Sequence, residues 1–226
     1  MPAIATQRQT GASSVLDWFG SAAGQGLLAA EAGAVGRVLA GCPALPWAWL
    51  GLAAAAPPLE TGRGLLLRRD RRHWHGALRC GLPLPLASEA FGAVLLQHVL
   101  DDTVDVDALL GECARVLAPG GTLWLAALNP WTPYRARWAG SGLLARDPGR
   151  WQAALRRAGF SAGSISVQWL GPHWRVAHGE AGIGATDRLR AGLALTASKR
   201  VWAAIPPARL RRLHWQAGRS PLDRAG

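Results

Sequence analysis

The sequence predicts an α/β fold built on an open, mostly parallel sheet. Ala93 to Leu100 is an apolar run typical of a strand that is covered on both faces. Apolar residues recur at helical spacing from 105 to 117, and a Pro-Gly-Gly turn then leads to a second apolar run, Thr122 to Leu128. Strand, helix and strand in this order predict one right-handed βαβ unit, the building block of a parallel sheet.

The remaining elements are predicted around this unit. Residues 14–40 are helical in pattern, with glycines near 20–26 as a break, and 150–158 form a shorter helix that closes at Gly159. Strands are expected at 47–52, 64–67, 73–79, 165–169 and 193–197. We expect a single domain over 14–205, a loose tail at 1–13 and a basic tail at 206–226.

The charge balance permits a polyanionic partner without requiring one. The formal net charge is +11 and the sequence pI is about 11.4. Such a balance is found in proteins that bind nucleic acids. Lys199 is the only lysine, however, and this dominance of arginine also fits a bias of nucleotide composition. Binding of RNA is therefore one alternative among others.

Cysteine usage and hydropathy predict a cytoplasmic protein. The three cysteines, Cys42, Cys80 and Cys113, show no CxxC spacing, which argues against a disulfide framework or a zinc site. The N-terminus lacks the pattern of a signal peptide. The most apolar stretch, residues 47–56, is far shorter than the about 20 residues of a spanning helix, so no membrane association is expected.

Two runs carry a resemblance to a known family. LPLASEAFGAVLLQHVLDD, residues 84–102, and ECARVLAPGGTLWLAALNPW, residues 112–131, resemble segments of class I S-adenosylmethionine-dependent methyltransferases. Asn129-Pro130-Trp131 and the later Ser198-Lys199-Arg200-Val201 resemble a narrower bacterial group of short methyltransferase-like proteins. The resemblance implies a three-layer Rossmann-like fold whose seven-stranded, mostly parallel sheet has its last strand antiparallel.

The same resemblance implies that S-adenosylmethionine lies across the carboxyl ends of the strands. The family's glycine-rich loop after the first strand is degenerate here: Gly51 remains, no acid precedes it, and alanines follow. Asp70 is the expected ribose ligand, Cys80 to Leu82 the expected adenine neighbours, and Gln97 the residue beside the methionine end. The predicted cofactor residues are Leu50, Gly51, Leu52, Asp70, Cys80, Gly81, Leu82 and Gln97.

His98 is the candidate catalytic residue. It follows the strongest predicted strand at its carboxyl end, where an imidazole could take a proton from an acceptor. Alternatively, His98 only caps the strand or packs beside the following helix. Asp101 and Asp102 resemble a paired carboxylate, but we expect them to begin that helix, and we predict no metal site.

Three functions follow from these patterns. The first is a methyltransferase with an unidentified acceptor, expected to be a small molecule, because methyl transfer from a sulfonium asks mainly for positioning. The second is a non-catalytic relative that keeps the sheet after losing the cofactor site. The third is a basic RNA-associated protein. The sequence leaves the acceptor atom, the pathway and the oligomeric state open.

Overall fold

The structure is a computed structural model that describes residues 15–58, 63–71, 73–103, 105–172 and 185–200. The predicted tails at 1–13 and 206–226 lie outside these residues. Within them the chain forms seven strands: β1 Trp47–Leu52, β2 Gly64–Asp70, β3 His73–Gly76, β4 Phe91–Gln97, β5 Leu117–Leu128, β6 Ile165–Leu170 and β7 Gly192–Ser198. The α-helices are α1 Ala22–Ala40, α2 Asp107–Val116 and α3 Pro148–Arg157.

The sheet has the strand order β3-β2-β1-β4-β5-β7-β6. The pairs β1–β2, β1–β4 and β4–β5 are parallel, whereas β7 runs antiparallel to both β5 and β6. Helix α1 contacts β4, β5 and β6, while α2 and α3 contact each other and pack on β5 and β7, respectively. The predicted three-layer fold with an antiparallel last strand is therefore confirmed.

The connection between the first two parallel strands, β1 and β2, is short for a βαβ unit. Only residues 53–63 connect the parallel strands β1 and β2, and the described part, 53–58 and 63, contains no helix. A crossover that includes a helix needs at least about 10–12 residues, so little room remains for one. Strand β3 then follows β2 in a tight hairpin and is antiparallel to it, which the sequence did not predict.

The central βαβ unit agrees with the sequence, apart from its boundaries. All seven residues of β4 are buried, as expected for a strand covered on both faces. Gly120 has φ +78°, in agreement with the predicted turn after Pro119. Helix α2 begins at Asp107 rather than at 105, and Val106 is at its N-cap position.

The segment before α1 covers the carboxyl end of the central strands. A 3₁₀ helix, Val15–Gly20, leads to Ser21, whose hydroxyl accepts a hydrogen bond from the Gly24 backbone and caps α1. Phe19 is fully buried against His98, with ring centroids 4.5 Å apart. Tyr134, after β5, donates its hydroxyl to the Ala23 carbonyl and ties this cover to the sheet. None of the described helices is long and apolar enough to cross a membrane.

Candidate site at the carboxyl edge of the sheet

Most of the predicted cofactor residues meet at one edge of the sheet. Leu50, Gly51 and Leu52 end β1, Asp70 ends the neighbouring strand β2, and Gln97 ends β4 on the other side. The three strands are parallel, so their carboxyl ends share the edge at which open α/β sheets bind ligands.

The predicted adenine neighbours lie elsewhere. Cys80 pairs with Trp74 of β3 on the outer side of that strand, so β3 and β2 separate it from β1. Three strand spacings of about 4.8 Å place it roughly 14 Å from β1. Gly81 and the exposed Leu82 follow Cys80 in the chain and line none of the cavities described below. The antiparallel β3 causes this separation.

The space beside Gly51 is filled by a tryptophan. A Cβ atom added to Gly51 would lie 1.9 Å from the Trp49 ring, so the indole covers the glycine directly. Trp49 is fully buried and donates its ring N–H to the Gln97 side-chain oxygen, at 3.1 Å. Because Gly51 has no side chain, the Trp49 indole of the same strand can occupy the space beside it, where a ligand normally lies beside such a glycine.

Two arginines at the end of β2 bond to the segments that follow β1 and β4 at the same edge. Arg68 donates to the carbonyls of Ala53 and Ala55, which fixes the turn after β1. Arg69 donates to the Val99 carbonyl and lies 2.6 Å from the Asp102 carboxylate, so it links β2 to the segment after β4. Asp102 therefore pairs with an arginine rather than beginning α2, as the sequence had suggested.

His98 lies in a buried cluster with two carboxylates. Its Nε2 is 2.7 Å from Glu31 of α1 and its Nδ1 is 2.7 Å from Asp101, and all three side chains have no exposed surface. Asp101 also accepts a hydrogen bond from the Leu128 backbone, so it does not begin α2. A general base needs a ring nitrogen within reach of substrate. In this arrangement both nitrogens are engaged, and a catalytic role for His98 stays a prediction.

The cluster favours a charged imidazole. Burial would lower the pKa of His98, but the charge of Glu31 and the hydrogen bonds with Asp101 and Glu31 raise it to about 10. Burial raises the pKa of Asp101, although the bonds from His98 and the Leu128 backbone partly oppose that rise. Burial also raises the pKa of the Cys113 thiol, on the buried face of α2.

We expect thermal stability to fall as pH rises from about 6.5 to 10. The pKa of His98 is about 10 in the folded chain and about 6.5 when unfolded, so its stabilising effect is complete below pH 6.5 and is lost through pH 10. Melting temperatures measured across this window for the parent and His98→Gln test the assignment. The cysteines contribute equally to both proteins, so equal slopes would contradict the raised pKa of His98.

Glu31 is the member of this site that sequence reasoning missed. Its second carboxylate oxygen accepts a hydrogen bond from the Gln97 amide, at 2.8 Å, so one acid orders both Gln97 and His98. The sequence does carry a signal. Glu31 falls on the buried stripe of α1, and an acid on a buried stripe requires partners. The stripe comprises Gly24, Leu27, Leu28, Glu31, Ala34 and Val35.

Two cavities flank the end of β1. One, of about 480 Å³, lies between α1 and the crossover that follows β1, and Gln25 and Gln97 are the polar side chains among its described lining residues. The other, of about 170 Å³, adjoins Asp70 at the end of β2. No cluster of three or more potential metal ligands occurs among the described residues.

A methyltransferase domain family matches residues 69–125, about a quarter of the chain. The chain is also similar to solved structures. A S-adenosylmethionine-dependent methyltransferase of Thermotoga maritima, described as a possible histamine N-methyltransferase, is 16% identical, with a TM-score of 0.55 over 78% of this chain and 91% of that one. No curated protein matches the sequence.

A second similar structure comes from an archaeal complex. It contains the Haloferax volcanii Trm112 methyltransferase activator and a methyltransferase, and the match is 16% identical, with a TM-score of 0.52 over 83% of this chain and 98% of that one. The fold of this chain is that of class I S-adenosylmethionine-dependent methyltransferases, as its sequence predicted. The domain match and the fold together support S-adenosylmethionine as the cofactor class.

The residues beside Gly51 do not fit this cofactor in the observed arrangement. The Trp49 ring occupies the space next to the glycine. The cavity beside Asp70, about 170 Å³, is smaller than the about 300–1,000 Å³ usual for small-molecule sites. Asp70 is exposed at the end of β2, as a ribose ligand would be, but the space beside Gly51 is filled.

Proposed function

We propose that this chain is a S-adenosylmethionine-dependent methyltransferase with an unidentified acceptor. The observation that supports it best is the match with a methyltransferase domain over residues 69–125, on a sheet ordered β3-β2-β1-β4-β5-β7-β6. The sulfonium of the cofactor is already activated, so the protein has mainly to position the acceptor. A degenerate glycine loop is compatible with that task, provided that the Trp49 ring leaves the space beside Gly51.

For His98 we propose a positioning role in place of the predicted role as a base. Its contacts with Glu31 and Asp101 join α1 to the carboxyl ends of β4 and β5. Glu31 in turn holds the amide of Gln97, whose oxygen faces the Trp49 indole. The cluster thereby sets the orientation of Gln97 and, through its bond to Gln97, of the indole that covers Gly51.

The cavity beside α1 supports a small-molecule acceptor. Its volume of about 480 Å³ lies in the usual range for small ligands, and most of its lining is aliphatic. The side-chain oxygen of Gln25 can supply an uncharged hydrogen-bond acceptor, whereas the Gln97 amide is already bonded to Trp49 and Glu31. An RNA acceptor has less support, because it rests on the net charge of +11 alone. Salt-dependent titration with RNA would test that alternative.

Calorimetric titration with S-adenosylhomocysteine tests the proposal. This product should bind the parent protein with a dissociation constant below about 100 µM, which corresponds to about 5.5 kcal/mol. S-adenosylmethionine should compete for the same site. If neither ligand produces heat at millimolar concentration, the proposed activity is wrong.

The Trp49–Gly51 contact favours a second candidate, a non-catalytic domain with a structural or regulatory role. The indole is fully buried and hydrogen-bonded, so a ligand must displace it to lie beside Gly51. This candidate predicts no binding of S-adenosylhomocysteine to the parent. The calorimetric titration therefore separates the two candidates directly.

A further inference from the structure

A second hollow lies at the far end of the same sheet edge, away from β1. It measures about 350 Å³ and is open to solvent. Trp131 follows β5, Trp169 belongs to β6, and Arg188 lies in the 3₁₀ helix Ala185–Leu189 before β7. Pro148, at the start of α3, and Val167 are also among its described lining residues.

The two tryptophans form an exposed aromatic wall. Trp131 keeps 52% of its surface exposed, although an indole of this size is usually largely covered. Its ring centroid is 5.8 Å from that of the buried Trp169, and the planes are tilted by 41°. Trp131 thus packs on the buried Trp169, and its exposed ring surface is available for stacking with another flat ring.

Arg188 supplies a positive charge beside this wall. No hydrogen bond or ion pair of its guanidinium is found within the described residues, whereas the neighbouring Arg190 is bound to Asp187, at 2.7 Å. An arginine beside exposed aromatic surface matches a planar ligand that carries a carboxylate or phosphate.

Hydrogen bonds from the Asn-Pro-Trp-Thr segment, residues 129–132, fix the backbone on both sides of the hollow. The Asn129 amide donates to the carbonyls of Arg188 and Arg190, at 2.8 and 2.7 Å, and its oxygen accepts the Trp131 backbone N–H, at 3.0 Å. Thr132 donates its hydroxyl to the Leu189 carbonyl, at 2.7 Å. The backbone at Trp131 and at residues 188–190 is therefore ordered before any ligand arrives, which lowers the entropic cost of binding.

We propose that this hollow binds a small planar aromatic anion, stacked on Trp131 and paired with Arg188. Two sources share this chemistry, a nucleoside monophosphate and an aromatic carboxylic acid. The inference goes beyond the proposed methyl transfer and does not depend on it, because the hollow lies outside the residues around Gly51. Binding is accordingly expected in the absence of any cofactor.

The test is an NMR titration that follows the indole N–H signals, with the Trp131 signal assigned by its absence in Trp131→Ala. Adenosine monophosphate and 2-naphthoate are the anionic probes, and adenosine and 2-naphthol are their uncharged counterparts at pH 7. We expect at least one anion to shift the Trp131 signal, with a dissociation constant on the order of 1 mM for so small a ligand. The responding anion identifies the source, and a response to both supports the shared chemistry.

The variants separate the contributions of ring and charge. Arg188→Ala should weaken the anion about tenfold and leave the uncharged counterpart unchanged. In Trp131→Ala, followed through the indole signal of the neighbouring Trp169, neither compound should bind. Arg150→Ala, which removes an exposed arginine near the start of α3, is the matched control and should have no effect. Equal affinity for anion and neutral counterpart, or no shift of Trp131 at 10 mM of either anion (a concentration about tenfold above the expected constant), would overturn the proposal.

Discussion

Replacement of Glu31 by alanine is expected to lower the free energy of unfolding by about 3–5 kcal/mol, the cost of removing one partner from a buried ion pair. Glu31 is fully buried and bonds both His98 and Gln97. Its loss leaves the imidazolium of His98 with Asp101 alone and the Gln97 amide without its acceptor. Urea denaturation of the parent and the variant measures the difference.

An exposed ion pair provides the control for this substitution. Asp107 of α2 lies 2.9 Å from Arg157 of α3, and both side chains are more than half exposed. Asp107→Ala should cost less than about 1 kcal/mol, because solvent screens such pairs. If Glu31→Ala were as mild as Asp107→Ala, the buried cluster would not have the energetic role assigned to it here.

Replacement of Gly51 by alanine is expected to destabilise the chain at or above the upper end of the about 1–3 kcal/mol usual for overpacking. The new methyl group would lie 1.9 Å from the rigid Trp49 ring, so the indole must move and lose its bond to Gln97. This cost arises without any ligand. If a bulkier residue at position 51 abolished cofactor binding, that loss alone would therefore not show that the cofactor binds beside Gly51.

A double variant isolates that contact. Trp49→Leu removes the ring, so adding Gly51→Ala to it should cost at least about 1 kcal/mol less than Gly51→Ala costs in the parent. Gly111→Ala in α2 is the control, because no atom lies within 4 Å of its added Cβ and alanine favours a helix. Additive costs at positions 49 and 51 would contradict the observed packing.

The second half of the fold could be predicted because its signals are local. The apolar run of β4, the apolar stripe of α2 and the turn at Gly120 each depend on residues adjacent in sequence. The first half was harder. The antiparallel direction of β3 depends on a hairpin with β2, and the connection between β1 and β2, residues 53–63, contains no helix in its described part, 53–58 and 63.

The sequence predicted which strand ends lie together at the candidate site, but not how the side chains there pack. Sequence reasoning placed Gly51, Asp70 and Gln97 at one edge because parallel strands bring their carboxyl ends together. It could not place Glu31 against His98, since 67 residues separate them and only tertiary packing joins them. The rotamer that lays Trp49 over Gly51 is likewise decided by packing against the rest of the core.

The most direct test of the account compares S-adenosylhomocysteine binding to the parent and to Trp49→Leu by calorimetry. In the parent, a ligand beside Gly51 must displace a buried indole and break its bond to Gln97. Trp49→Leu removes that requirement, so its dissociation constant for S-adenosylhomocysteine should be at least about tenfold lower than that of the parent, equivalent to about 1.4 kcal/mol. Unchanged or weaker binding to a variant that folds would show that Trp49 does not occupy the place of the cofactor.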